Sequence, residues 1–112
     1  NGNMAAPGKL HSNQRRNMDI LKKIQNWYFT YCDGEWEHRF GIRIGTIDNP
    51  GWSVEINLVG TRSENIQFED IKLERDEKNW VHCSIKDKHF FGHGGPKNLE
   101  EILEIFIEKV AK

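Results

Sequence analysis

The sequence predicts an α+β domain, a single antiparallel sheet of four or five strands flanked by an N-terminal and a C-terminal helix. Three observations carry this. Apolar residues near each end recur at the three-four spacing of a helix, and those between recur at every second position, the spacing of strands with one wet face. The 112 residues suffice for one domain with a real core and fall short of two ordinary ones. With 37% hydrophobic and 29% charged residues and four Trp, the chain can fold without disulfides or metal.

The elements follow in order. From Met18 to Tyr31, the residues Ile20, Leu21, Ile24, Trp27, Tyr28 and Tyr31 form an apolar stripe, with Lys22, Lys23, Gln25 and Asn26 opposite. Asp33-Gly34 stops this helix at or just before Cys32, because glycine takes the left-handed conformation beyond a helix end without a Cβ penalty. A strand-like segment through Glu35 and Glu37 leads to Phe40, Ile42 and Ile44, which alternate with Arg39, Gly41 and Arg43. After Asp48-Asn49-Pro50-Gly51, Trp52, Val54, Ile56 and Leu58 alternate with Ser53, Glu55 and Asn57. Placing both apolar sets on one face requires Thr46 opposite Trp52, Ile44 opposite Val54 and Arg43 opposite Glu55, since a one-residue slip would invert one strand.

Ile66 to Glu74 reads as a third strand with a bulge near Glu69-Asp70. A turn at Asp76–Asn79 leads to a fourth strand, Val81, Cys83 and Ile85 against His82 and Ser84, and His89-Phe90-Phe91 makes a short fifth. Gly92-His93-Gly94-Gly95-Pro96 reads as a break, with glycines serving a tight turn of positive φ. Asn98 with Glu101 three places on has the form of a capped helix start, and Leu99, Ile102, Leu103, Phe106, Ile107 and Val110 fall on one face.

Charge narrows the function. Residues 1–17 carry a formal +3, which leaves −4 on residues 18–112 out of a total of −1. Such a domain repels phosphate backbones and attracts basic partners, so nucleic-acid binding is disfavoured. Residues 1–17 read as a flexible, extraneous leader and 18–112 as the single domain, with a natural start at Met18. Two Cys 51 positions apart make no secreted disulfide framework and suit reduced thiols in the cytoplasm, and no apolar run is long enough to span a membrane.

The densest polar chemistry is Cys32-Asp33-Gly34-Glu35-Trp36-Glu37-His38. A nucleophilic Cys32 is disfavoured, because a helix C-terminus and three following carboxylates hold a thiol pKa up. Glu35 and Glu37 would share one side of a strand, unlike carboxylates facing across a substrate, and Trp36 would point to the core. No metal-ligand spacing is present, and His82 and Cys83, adjacent in a strand, point to opposite faces. The Gly92–Gly95 stretch lacks a phosphate-loop pattern. What remains is a surface: Asp33, Glu35, Glu37 and His38 as partner-binding residues on an acidic rim, with exposed aromatics nearby as anchors.

Trp27-Tyr28 followed by Cys32-Asp33-Gly34-Glu35-Trp36-Glu37-His38 and the Gly-containing strand Phe40-Gly41-Ile42 resembles the bacterial polymorphic-toxin immunity proteins, family fifty-three. The similarity continues through Asp48-Asn49-Pro50-Gly51-Trp52, Trp80 with Cys83, Phe91-Gly92 with Gly94-Gly95, and Asn98-Leu99-Glu100-Glu101, covering about 18–111. Glu35 departs from the Asp usual there and keeps the carboxylate. The resemblance implies a cytosolic antidote that neutralises a cognate toxin domain without catalysis or cofactor. Joined to the charge, it predicts a basic toxin and no nucleic-acid or membrane partner. Two rivals stand: a small metal-dependent or Cys/His hydrolase using Cys32, Glu37 and His38, and a folding junction in which Asp33 and His38 hydrogen-bond the turn backbone while recognition lies elsewhere.

Overall fold

Asp19 opens the first helix, its carboxylate accepting the Leu21 N–H at 3.0 Å, so one of the donors left over at a helix start is satisfied. This helix, α1 (Ile20–Tyr31), buries Ile20, Ile24 and Trp27. The structure is a computed structural model that describes residues 19–112; the expected leader 1–17 and Met18 lie outside the described residues. As the sequence predicts, α1 ends at Tyr31, where the Cys32 N–H turns back to the Phe29 carbonyl at 3.1 Å and Gly34 takes φ 95°.

The next segment differs from expectation. Trp36–Arg39 is one helical turn, α2, and not a strand-like lead-in. Glu35-Trp36-Glu37 alternates like a strand only because four residues are too few to display a helical period. The first strand, β1 (Ile42–Ile47), therefore starts late. With β2 (Gly51–Asn57) it forms the hairpin in the required register, Arg43 opposite Glu55, Ile44 opposite Val54 and Thr46 opposite Trp52.

Beyond β2 the chain crosses to the far edge of the sheet. Residues 66–70 are not strand; β3 spans Ile71–Asp76, and its irregularity falls between Glu74 and Asp76 rather than at Glu69-Asp70. The Ile66 and Phe68 alternation arises because both pack against the core, Phe68 edge-on to Phe90 at 6.2 Å, without strand pairing. From there β3, β4 (Asn79–Lys86) and β5 (His89–Gly94) run as a meander that brings β5 back beside β2. The sheet is antiparallel throughout with order β1-β2-β5-β4-β3.

The glycines of Gly92-His93-Gly94 do not break β5. Both lie inside it, neither takes positive φ, and their missing side chains let the final helix sit against the sheet. A Cβ on Gly92 would run into Ile102, and one on Gly94 would lie 3.0 Å from the Ile102 Cδ1. That helix, α3 (Leu99–Ile105), continues as a wider π-helical turn through Phe106–Val110 and buries Ile102, Leu103, Ile105, Phe106 and Val110. Phe90 and Phe106, both fully buried, meet at 5.2 Å across the layer boundary, each side chain contributing roughly 1.5–3 kcal/mol of burial.

Asn98 stands at the start of this helix, as expected, with one difference. Its side chain makes no cap on its own helix. Instead it is buried, accepts the Trp80 N–H at 3.3 Å and donates to Asn79 Oδ1 and Glu101 Oε1 at 3.0 Å each. Arg75 completes this knot with a two-pronged bond to Glu101 at 3.1 and 2.7 Å. Together they fasten the β3–β4 hairpin to the start of α3. The final helix packs on the face of the sheet that holds Val54, Val81, Phe90 and Gly92; on the opposite face Ser53, Glu55, His82 and His93 are half-buried, with no helix packed over them among the described residues.

Candidate partner-binding surface

The turn between α1 and α2 is held by two carboxylates working reciprocally. Asp33 Oδ1 accepts the N–H groups of Glu35 at 2.9 Å and Trp36 at 3.0 Å. Glu37 reaches back, its two oxygens accepting the N–H groups of Asp33 at 3.0 Å and Gly34 at 2.8 Å. The four successive backbone donors from Asp33 to Trp36 are thus satisfied, an arrangement related to a capping box. The Trp36 N–H, then the Glu35 N–H, hold the Asp33 carboxyl below its ordinary value, since a carboxylate receiving backbone donors resists protonation.

The turn exists to deliver Trp36. This indole is buried, donates its Nε1–H to the Val59 carbonyl at 2.7 Å, and meets Trp27, Tyr28, Tyr31 and Phe40 at ring distances of 5.8 to 6.1 Å. It is a core residue, as its alternation suggests.

Of the four residues expected to contact a partner, Asp33 and Glu37 are therefore committed to the backbone of their own turn. Glu35 and His38 make no side-chain hydrogen bond among the described residues, and both are exposed. The expected backbone bond from His38 is not formed, whereas that from Asp33 is. The Cys32 thiol donates to the Tyr28 carbonyl at 3.3 Å and is not bonded to His38. Among the described residues no three His, Cys, Asp or Glu side chains are placed to share a metal ion.

The aromatic anchors come from α1. Phe29 is 77% exposed, Leu21 55% and Tyr28 37%. At about 100° per residue, the buried Ile20, Ile24 and Trp27 define one stripe, Leu21 and Tyr28 its flank, and Phe29 nearly the opposite side. Phe29 was thus readable as outward from the sequence, while the Leu21 and Tyr28 positions look inward on spacing alone. Tyr28 joins the two features: its ring meets Trp36 at 6.0 Å, and its hydroxyl is held above the ordinary value mainly by Cys32, with Glu37 a lesser cause.

A second acidic feature runs along α3, where Glu100, Glu104 and Glu108 recur every fourth residue. Burial raises the Glu104 pKa first, and then the neighbouring Glu100, Glu108 and Glu101 raise it further. In Cys83 burial, with a smaller push from Glu101, lifts the thiol to about 12, which keeps it protonated and inert.

Residues 21–111 match the family described as Immunity protein 53. The protein belongs to that family. No curated protein and no solved structure matches the chain. Within this immunity protein, the turn from Cys32 to His38 divides into residues that build it and residues that it displays. Asp33, Gly34, Trp36 and Glu37 build; Glu35 and His38 are displayed, and Phe29 and Tyr28 are exposed on the last turn of the helix that leads into it.

Proposed function

We propose that this immunity protein neutralises its cognate toxin domain by stoichiometric binding, through the surface that joins Phe29 and Tyr28 to Asp33, Glu35, Glu37 and His38. The observation that carries the reading is Phe29, a large aromatic 77% exposed on the last turn of the helix that leads into the carboxylate-rich turn. An exposed aromatic rimmed by charge is the composition of an interface centre and its border. The acidic rim suits a basic toxin, because opposite charges speed encounter. The protein acts in this reading without catalysis, in the bacterial cytoplasm where the toxin would otherwise act. No helix among the described residues is long and apolar enough to cross a membrane.

The test is capture from a lysate of the native host, with wild-type chain and two variants as bait, followed by reconstitution with the purified captured protein. Phe29→Asp and the double change Glu35→Lys, His38→Ala leave the melting temperature unchanged and weaken the one-to-one complex by at least about tenfold. A captured toxin whose affinity is the same for all three baits removes this surface from the account.

A further inference from the structure

We infer that the face of the sheet opposite the final helix holds a second docking site, a groove that takes an arginine or lysine side chain presented by a protein segment. The groove lies at the end of the sheet where β1 turns into β2 and β3 turns into β4, and its volume is about 590 Å³. Ile47 and Asn49 form one wall, His82 and His93 the floor, and Trp80 with Glu74, Asp76 and Glu77 the other wall.

Its depth follows from the pairing. Facing Ile47 across β2 is Gly51, and in the next row Gly45 pairs with Ser53. Ser53 is followed by His93 and His82 across β5 and β4. Small residues on β1 and β2 thus lie beside large ones on β4 and β3, and a trough results. A Cβ on Gly51 would run into the Gly94 carbonyl, so close backbone packing keeps this position without a side chain beside the groove.

The chemistry of the walls selects the occupant. Three carboxylates line the groove, and among the described residues no Lys or Arg does. Glu74 is bonded to His82 at 3.0 Å, and Asp76 Oδ1 accepts the Lys78 N–H at 2.8 Å, which leaves each with one oxygen uncommitted. Glu77 makes no side-chain contact of this kind among the described residues. Trp80 completes the set. Its ring lies 5.0 Å from that of His82, and among the described residues its indole N–H has no acceptor, as is also true of the buried Trp27, whereas those of Trp36 and Trp52 are bonded to Val59 and Pro96 carbonyls. An aromatic face flanked by carboxylates favours a cation with a long apolar stem. Phosphates are repelled by the same carboxylates, and the space exceeds what a bare ion fills.

This site faces away from the final helix and stands apart from the surface around Phe29, so its failure leaves the proposed function untouched. The test uses the 112-residue chain labelled with nitrogen-15, titrated with acetyl-Gly-Arg-Arg-Gly-amide and, as the neutral control, acetyl-Gly-Gln-Gln-Gly-amide. The expected result is a saturable shift of the Trp80 indole N–H signal with the arginine peptide only. Glu74→Gln with Glu77→Gln, and Glu77→Gln alone as the milder change in an exposed turn, weaken binding by about fivefold and about twofold. Raising salt from about 0.05 M to about 0.5 M weakens it as well, because the charges are solvent-screened. No saturable shift at Trp80, an equal shift with the neutral peptide, or an affinity unchanged in the double variant overturns the proposal.

Discussion

Removing the Glu37 side chain separates what the turn builds from what it displays. Glu37→Ala deletes two hydrogen bonds, to the N–H groups of Asp33 and Gly34 at 3.0 and 2.8 Å. Both are charge-assisted, and both donors then face water in a half-exposed turn, so each is worth about 0.5–1 kcal/mol after screening. The loss is therefore about 1–2 kcal/mol. For a domain of this size, 1 kcal/mol moves the melting temperature by about 4–8 °C, and the expected drop is roughly 4–16 °C. Glu37→Gln, which keeps one acceptor oxygen, should fall between wild type and Glu37→Ala. The assay is thermal unfolding followed by far-ultraviolet circular dichroism, read beside toxin affinity of the protein that remains folded. A melting temperature within about 2 °C of wild type would refute the assignment of Glu37 to the turn, and would return it to the displayed set with Glu35 and His38.

Gly92→Ala should cost about 1–3 kcal/mol by forcing Ile102 away from the sheet, since the added Cβ meets Ile102 and the Phe90 ring at 3.2 Å; chemical denaturation measures it, and an unchanged midpoint speaks against the close approach. Acidification should destabilise the fold below about pH 4, because Asp33 and Glu101, bonded to backbone N–H groups and to Arg75 respectively, have folded values below their ordinary ones. Their stabilisation is complete above the unfolded pKa and is lost as pH falls through the folded one. Glu104 has the opposite sign: its raised pKa means that its charge costs stability at neutral pH, so Glu104→Gln should raise the neutral-pH melting temperature slightly and steepen the net loss on acidification. Alkylation with iodoacetamide at about pH 8 should label Cys32 and spare Cys83, whose thiol sits at about 12 and is buried; peptide mass mapping of labelled Cys83 in folded protein would contradict it.

How much of this was readable in the chain depends on whether a pattern has one physical cause or two. The β1–β2 hairpin was readable to the residue pair because strict alternation and one wet face leave a single register. The final helix was readable because its apolar stripe spans three turns. Glycine, by contrast, serves two purposes, positive φ and close approach, and the Gly92–Gly94 stretch was read for the first when it performs the second. The Asn98–Glu101 spacing marks the helix start, and the two side chains do bond, but the buried amide also binds across the fold to β4, which no local spacing reveals. The acidic turn was visible as a cluster; its division into structural and displayed carboxylates depends on which oxygen reaches which N–H. The groove beside Trp80 was invisible because its walls come from two hairpins brought together only by the crossover after β2.

In the proposed reading, that division bears on how such a surface holds a partner. Association costs the ordering of every side chain and loop that it immobilises, so a surface already fixed in place keeps more of its contact energy. The displayed residues Glu35 and His38 sit on a turn whose every neighbour is pinned, with Asp33 and Glu37 bonded to four backbone donors and Trp36 locked among four aromatic rings. Trp27 carries that rigidity onward, meeting Trp36 at 6.0 Å and Phe106 of the final helix at 5.0 Å. The aromatic cluster thus anchors the turn to the domain core rather than to its own loop. Shrinking Trp36 to Leu would keep an apolar plug but release the Val59 bond and the ring contacts. In the proposed reading, toxin affinity then falls through a faster off-rate, because the contacts persist while the preorganised frame that holds them is lost.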